Sequence, residues 1–159
     1  MTSVLYPGSF DPLHLGHLEI IEAASALFDR VTVATLRNPQ KGSEFFTMAE
    51  REAAIEESTA HLPNVSVTNF EGLVVDLARR LRVDFIVKGL RTVSDFETEM
   101  QMAEMNRAVS GVRTLFLPAH SEYAFLASKY IRDIARLGGD VSSTVPAPVA
   151  KRIQERNSR

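Results

Sequence analysis

Two histidines lie close together just after the first short apolar run of the chain. His14 and His17 stand on either side of Gly16, where a helical pattern begins. Imidazole N–H groups can donate to a phosphoryl oxygen as charge develops on it, and a helix N-terminus attracts phosphate. Upstream, Ser9 offers a hydroxyl and an N–H, and Gly8 lets the backbone approach a ligand closely. Either histidine alone favours an ordinary surface position, but the grouping predicts a phosphate-binding site.

Cationic side chains follow two later apolar runs. Lys88 and Arg91 stand on either side of Gly89, where the run Phe85–Val87 ends. A lysine is costly inside a sheet unless it is paired, so this pair predicts a phosphate clamp about as well as a solvated strand end. Lys41 could reach a phosphate from the loop after the second run, although that loop alone favours a surface lysine.

The last candidate loop runs from Pro118 to Phe125. Ser128 can cap the helix that follows, whose N–H groups would form a second anion site. Tyr123 or Phe125 could lie against a base. A capped helix with core aromatics explains the same residues equally well.

These loops belong to an alternation of short β-branched runs and longer helical patterns. The predicted strands are Ser3–Tyr6, Val31–Leu36, Val65–Thr68, Phe85–Lys88 and Thr114–Leu117. The predicted helices are His17–Phe28, Thr47 to about Ala60, Leu73–Leu81, Phe96–Val109, Ser128–Leu137 and one that starts near Pro148.

Five βα units predict an α/β fold: a doubly wound five-stranded parallel sheet with helices on both faces. Ligands of such sheets bind outside the carboxyl ends of the strands, near the switch in strand order. The five loops that follow the strands are therefore where the site is expected.

Composition bounds the remaining possibilities. The 159 residues include no cysteine, so disulfides, zinc–thiolate sites and thiol catalysis are excluded. No apolar run approaches the ~20 residues of a membrane-spanning helix, and the N-terminus lacks the pattern of a secretion signal. We therefore expect one cytoplasmic domain over residues 1–159. A net charge of −2 argues against a nucleic-acid partner, and no cluster has the spacing of metal ligands.

The sequence also resembles a known family. His14-Leu15-Gly16-His17 matches the HxGH element of the nucleotidylyltransferase superfamily, and Pro7–Pro12 before it resembles the phosphopantetheine adenylyltransferases of coenzyme A biosynthesis. Further matches follow in order, and the likeness spans about residues 3 to 155. They are Lys41, Val87–Arg91, Asp95–Glu97 with Glu99, Gln101–Asn106 and Gly138–Val141.

The resemblance implies a Rossmann-like nucleotidylyltransferase fold and a reaction. The adenylyl group of ATP would pass to 4′-phosphopantetheine, giving dephospho-coenzyme A and pyrophosphate, with Mg²⁺ carried by ATP. It further implies a homohexamer, with coenzyme A as a possible feedback ligand.

The resemblance also implies residue roles. His17 would stabilise the transition state, and Lys41 and Arg91 would join it in catalysis. The implied 4′-phosphopantetheine contacts are Ser9, Lys41, Val74 and Lys88. The implied ATP contacts are Ser9, Phe10, His14, His17, Gly89, Leu90, Arg91, Glu99, Tyr123, Ala124, Phe125, Leu126, Ala127, Ser128 and Lys129.

Several positions depart from the family pattern. His14 stands where threonine is usual, Thr98 where tyrosine is frequent, and Ala127-Ser128-Lys129 replaces a serine triplet. Lys129 would supply a cation where relatives supply a hydroxyl.

Other functions remain open at this stage. Related enzymes that act on nicotinamide mononucleotide or glycerol 3-phosphate share HxGH, and the segment 128–132 resembles the ISSTxIR-type element of that wider group. A non-catalytic nucleotide-binding regulator and a scaffold protein are the further alternatives.

Overall fold

A computed structural model gives the fold and describes residues 1–37 and 44–159. Within these residues, strands and helices alternate as expected. The strands are β1 (Ser3–Gly8), β2 (Arg30–Leu36), β3 (Val65–Phe70), β4 (Phe85–Leu90) and β5 (Arg113–Pro118). The helices are α1 (Leu15–Leu27), α2 (Met48–Ser58), α3 (Val74–Leu81), α4 (Val93–Ser110), α5 (Ser128–Arg136) and α6 (Ala147–Asn157).

The sheet is parallel, with strand order β3-β2-β1-β4-β5. The chain builds outward from β1 to β3 and then returns to place β4 on the other side of β1. The switch in strand order therefore falls between β1 and β4. The predicted doubly wound α/β fold is confirmed.

The strands at this switch separate towards their carboxyl ends. The pairing of β1 with β4 joins Val4 to Phe85 and Leu5 to Ile86, whereas both strands continue beyond these pairs. Pro7 lies in the part of β1 that pairs with β2 but no longer with β4, and it has no N–H to donate to a ladder. The gap left between the two strand ends is where a ligand can enter the sheet edge.

Both faces of the sheet are covered by apolar side chains from helices. Val4 and Tyr6 of β1 face a cluster that includes buried residues of α1, α2, α5 and α6. Leu5, between them, faces a second cluster that includes Val75 and Leu77 of α3. This alternation follows from the opposite directions of successive strand side chains.

Helix starts were harder to predict than helix positions. The capping box of α2 is confirmed, because Thr47 and Glu50 each accept a hydrogen bond from the other's backbone N–H. By contrast, α1 begins at Leu15 rather than His17, and α4 begins at Val93 rather than Phe96, capped by Thr92. In each case the cap lies further upstream than the apolar periodicity indicated.

Candidate active site

A cavity of about 800 Å³ lies at the carboxyl ends of β1 and β4. It is bounded by the loop after β1, the end of β4, the start of α4 and the first turns of α5. This is the edge of the sheet where the switch in strand order predicts a ligand.

The loop after β1 brings its backbone close to the cavity. Phe10 has a φ of 47°, a left-handed conformation that is uncommon for a residue with a side chain, and its side chain is buried. Its ring covers Gly8 so closely that a Cβ there would lie 2.9 Å from Cζ of Phe10. The same ring meets His17 edge-on, with centroids 5.0 Å apart. The packing of Phe10 therefore links the loop backbone to the histidine pair.

The rings of His14 and His17 are stacked, with centroids 3.6 Å apart and an angle of 18° between their planes. Nδ1 of His14 accepts hydrogen bonds from the backbone N–H groups of Gly16 and His17, at 3.1 and 3.3 Å. In return, Nδ1 of His17 accepts from the N–H of His14 at 3.2 Å. The two rings thus form a histidine version of the capping box at the start of α1.

These bonds fix the tautomer of both rings. A ring nitrogen that accepts a backbone N–H carries no proton, so each neutral imidazole holds its proton on Nε2. Burial, aided by Arg91, lowers the pKa of His14 to about 4. Burial, with the neighbouring His14, Arg91 and Lys88, holds the pKa of His17 well below its usual value. Near neutral pH both rings are uncharged Nε2–H donors, and both line the cavity.

A helix N-terminus that attracts phosphate was expected here, but the backbone N–H groups at the start of α1 already have partners within the protein. The N–H of Leu15 donates to the carbonyl of Thr144 at 3.0 Å, and that of Leu18 donates to the carbonyl of His14. The remaining two, of Gly16 and His17, are taken by the His14 ring. All four N-terminal donors of this helix are occupied, so side chains must supply the donors that an anion would need here.

The end of β4 contributes two cations, each held by a carboxylate of α4. Nζ of Lys88 lies 3.5 Å from Glu99, and Nε of Arg91 lies 3.1 Å from Asp95. Arg91 also donates through Nη1 to the carbonyl of Leu126, which ties β4 to the loop before α5. Pairing explains how these charges are accommodated at a strand end.

The start of α5 differs from the expected cap. Ala127 is the N-cap and no side chain caps this helix. Ser128 instead donates its hydroxyl to the carbonyl of Pro12 at 2.8 Å, and Arg132 donates to the carbonyl of Asp11 at 2.8 Å. The first turns of α5 are thereby fastened to the loop after β1.

Three cationic residues at the cavity were not among the predicted site residues: Arg51, Arg132 and Arg136. Arg132 could have been found from the sequence, because it is the last residue of the segment 128–132 that resembles an element of the wider superfamily. Arg51 lies in the first turn of α2 with only 3% of its side chain exposed. No sequence pattern distinguishes it from the other arginines of the chain.

The structure brings most of the predicted site residues to one cavity. Those that line it are Ser9, Phe10, His14, His17, Lys88, Gly89, Arg91, Glu99, Ala127, Ser128 and Lys129. Lys41 lies outside the described residues. The cavity wall does not include Val74, Leu90, Tyr123, Ala124, Phe125 or Leu126.

The aromatic residues of the last loop lie outside the cavity wall. Tyr123 belongs to a short 3₁₀ helix, Ser121–Tyr123, and lines a separate depression beside Glu19 and Glu22 of α1. The side chain of Phe125 is mostly exposed. The turn through the 3₁₀ helix carries Tyr123 away from the cavity.

Two further properties can be read from the described residues. None of the helices in these ranges is both long and apolar enough to cross a membrane. Residues 1–37 and 44–159 also hold no group of three or more histidine and acidic side chains that could bind a metal ion.

Fold and site together define a class of protein. A doubly wound sheet whose switch point carries a histidine pair, with cations at the end of β4, is suited to binding a nucleotide and stabilising charge on its phosphates. The chain belongs to the cytidylyltransferase-like family, whose model matches residues 5–134.

A solved structure shares the fold. It is that of a protein from Vibrio parahaemolyticus described as a nicotinate-nucleotide adenylyltransferase. The two structures match with a TM-score of 0.67 over 97% of this chain and 99% of that chain, at 16% sequence identity. At this identity the likeness concerns the fold alone.

Proposed function

We propose that this protein transfers the adenylyl group of ATP to 4′-phosphopantetheine, giving dephospho-coenzyme A and pyrophosphate. The observation that carries the proposal is the neutral His17, with its tautomer fixed, in one cavity with Lys88 and Arg91. Membership of the nucleotidyltransferase class supports the reaction type. The ordered motifs from Pro7 to Val141 support the acceptor.

The proposed step is a single displacement at phosphorus. A phosphate oxygen of the acceptor forms a bond to the α-phosphorus of ATP. The bond from that phosphorus to the oxygen that bridges the α- and β-phosphorus atoms breaks. Pyrophosphate leaves with the electron pair of that bond. The second pKa of a phosphate monoester is about 6, so at neutral pH the nucleophile is mostly ionised and needs no general base.

The protein's contribution is then to position the reactants and stabilise charge. The Nε2–H of His17 would donate to an α-phosphoryl oxygen as its charge increases. Lys88 and Arg91 would attract the phosphates of the two substrates, exchanging part of their pairing with Glu99 and Asp95 for contacts with ligand. A neutral imidazole is suited to this role because it donates a hydrogen bond and keeps its proton.

ATP would enter as its magnesium complex. Mg²⁺ prefers phosphate oxygens and water and often uses few protein ligands. Of the carboxylates that line the cavity, Glu44, Asp95 and Glu99 are each paired with an arginine or lysine. This pairing fits a metal ion that is carried by the triphosphate.

Nicotinate mononucleotide is the second candidate acceptor. The solved structure with the same fold is described as a nicotinate-nucleotide adenylyltransferase, and segment 128–132 resembles an element of the wider superfamily. Nicotinate mononucleotide also presents a phosphate monoester as nucleophile, so the same cavity chemistry would serve it.

An acceptor panel tests the proposal. Pyrophosphate release is measured with ATP or CTP and each of 4′-phosphopantetheine, nicotinate mononucleotide, nicotinamide mononucleotide and glycerol 3-phosphate, with His17→Ala as the control. We expect release with ATP and 4′-phosphopantetheine, and a product with the mass of dephospho-coenzyme A. Turnover with another acceptor but not with 4′-phosphopantetheine would show that the proposed acceptor is wrong and would identify the true one. Thermal stabilisation by ATP without any release would indicate a non-catalytic binder.

Assembly and regulation remain predictions from the resemblance. A homohexamer is tested by light scattering after size-exclusion chromatography. Coenzyme A as a feedback ligand is tested by adding it to the pyrophosphate-release assay.

A further inference from the structure

Arg51 is a buried arginine at the wall of the cavity. Its side chain is 3% exposed, yet it lines the cavity with Ser9 and Asp11. A guanidinium is costly to bury unless its donors are satisfied. The groups that satisfy its donors therefore indicate which parts of the protein Arg51 holds in place.

Three groups surround this guanidinium. Nε donates to the carbonyl of Phe46 at 2.9 Å, and Nη1 donates to the carbonyl of Ser9 at 3.0 Å. Nη2 lies 3.0 Å from the carboxylate of Glu44. One rigid, planar group thus joins the loop after β1 to the segment that leads into α2.

Asp11 strengthens the same junction. Its two carboxylate oxygens accept the backbone N–H groups of Phe45 and Phe46, each at 2.8 Å. Its Oδ1 lies 3.8 Å from Nε of Arg51. The loop after β1 and the segment before α2 are therefore joined both by Asp11 of the loop and by Arg51 of α2.

The bond to Ser9 has a consequence for the neighbouring peptide. The carbonyl of Ser9 and the N–H of Phe10 belong to one planar peptide group and point in opposite directions. Fixing the carbonyl also fixes the direction of that N–H and helps to hold Phe10 at its φ of 47°. The Phe10 ring in turn meets His17 edge-on.

We propose that Arg51 is a positioning residue for nucleotidyl transfer, which acts by orienting the Ser9–Phe10 peptide relative to His17. The inference rests on the proposed function, because its readout is that reaction. Arg51 makes its effect through the loop and is not itself required to contact a substrate.

The test is Arg51→Lys, which keeps the charge but cannot reach three acceptors at once. We expect kcat to fall about 10- to 100-fold, since small misplacements of reacting groups carry such losses. The KM values for MgATP and for the acceptor should change by less than about 3-fold, because the binding side chains remain.

The matched control is Arg152→Lys. Arg152 also joins two segments, with 2.7 and 3.0 Å bonds to Glu57 and one to the carbonyl of Pro148, and it does not line the cavity. This variant should keep the wild-type kcat even where its Tm is lower. A wild-type kcat in a folded Arg51→Lys protein would overturn the inference, whatever its Tm.

A second variant covers the case in which Arg51→Lys does not fold. Glu44→Ala removes one of the three partners at a half-exposed site, and we expect a lower kcat with little change in Tm. An unchanged kcat there would overturn the inference. If wild-type protein releases no pyrophosphate with 4′-phosphopantetheine, the proposed function fails, and Arg51 is then tested with the acceptor that the panel identifies.

Discussion

Acidification should destabilise the fold through the histidine pair. His14 has a pKa of about 4 in the folded protein, against about 6.5 in an unfolded chain. When folding lowers the pKa of a histidine, the free energy of unfolding is highest at pH values above the pKa of the unfolded chain. This stabilisation is lost as the pH falls through 6.5 towards 4, because the unfolded chain binds the proton first.

The magnitude follows from these two values. At about pH 5 the unfolded histidine is almost fully protonated and the folded one is mostly neutral. The difference is about 2 kcal/mol of lost stability from His14 alone. At about pH 7 the same linkage amounts to only about 0.2 kcal/mol. His17 changes stability in the same direction, since its pKa is also lowered.

The assay is urea unfolding of wild type and His14→Asn at about pH 7 and pH 5. Asparagine is a good N-cap, so it can accept the N–H groups of Gly16 and His17 without titrating. Wild type should lose about 2 kcal/mol more than the variant between the two pH values. Titrating groups that do not contact His14 are shared and cancel in this difference. The pKa of His17 is lowered partly by His14, so it rises in the variant and adds to the difference in the same direction. Equal losses for the two proteins would refute the neutral, helix-capping role of His14.

Three substitutions test the cavity itself. His17→Ala should keep the fold and lower kcat by about 10²- to 10³-fold, the loss typical of one transition-state donor; near-normal turnover in a folded protein would contradict the role. Lys88→Ala should raise the KM for 4′-phosphopantetheine more than that for MgATP, and titration calorimetry with each substrate checks this. Gly8→Ala should lower kcat with circular dichroism unchanged, because the new Cβ would lie 2.9 Å from the Phe10 ring. If its kcat matches wild type, the close contact of Phe10 with the loop backbone has no part in catalysis.

The fold could be predicted because its signals are local and agree with one another. Short apolar runs alternate with longer helical segments, and this alternation leaves a parallel sheet as the simple arrangement. The same rules locate the ligand at the carboxyl ends of the strands. His17, Lys88, Arg91 and Ser128 reach one cavity for that reason.

The details that sequence reasoning missed depend on tertiary contacts. His14 caps α1 through a ring nitrogen, a role for which serine, threonine, aspartate and asparagine are the usual residues. Arg51 became a junction only because Ser9 and Glu44, far apart in sequence, meet beside it. Tyr123 is near Ser128 in sequence, yet a short 3₁₀ helix directs it to another depression.

The hydrogen bond from the Leu15 N–H to the carbonyl of Thr144 shows that the last part of the chain supports the site. The family match stops at residue 134, but Thr144 accepts the first N–H of α1, and Val141, Val145, Val149 and Ile153 are buried in the main core. A shortened version cut at the family boundary would expose an apolar face and uncover the amide beside the histidine pair. A fusion partner should therefore be attached after α6, and a truncation should not remove the segment from α5 to α6.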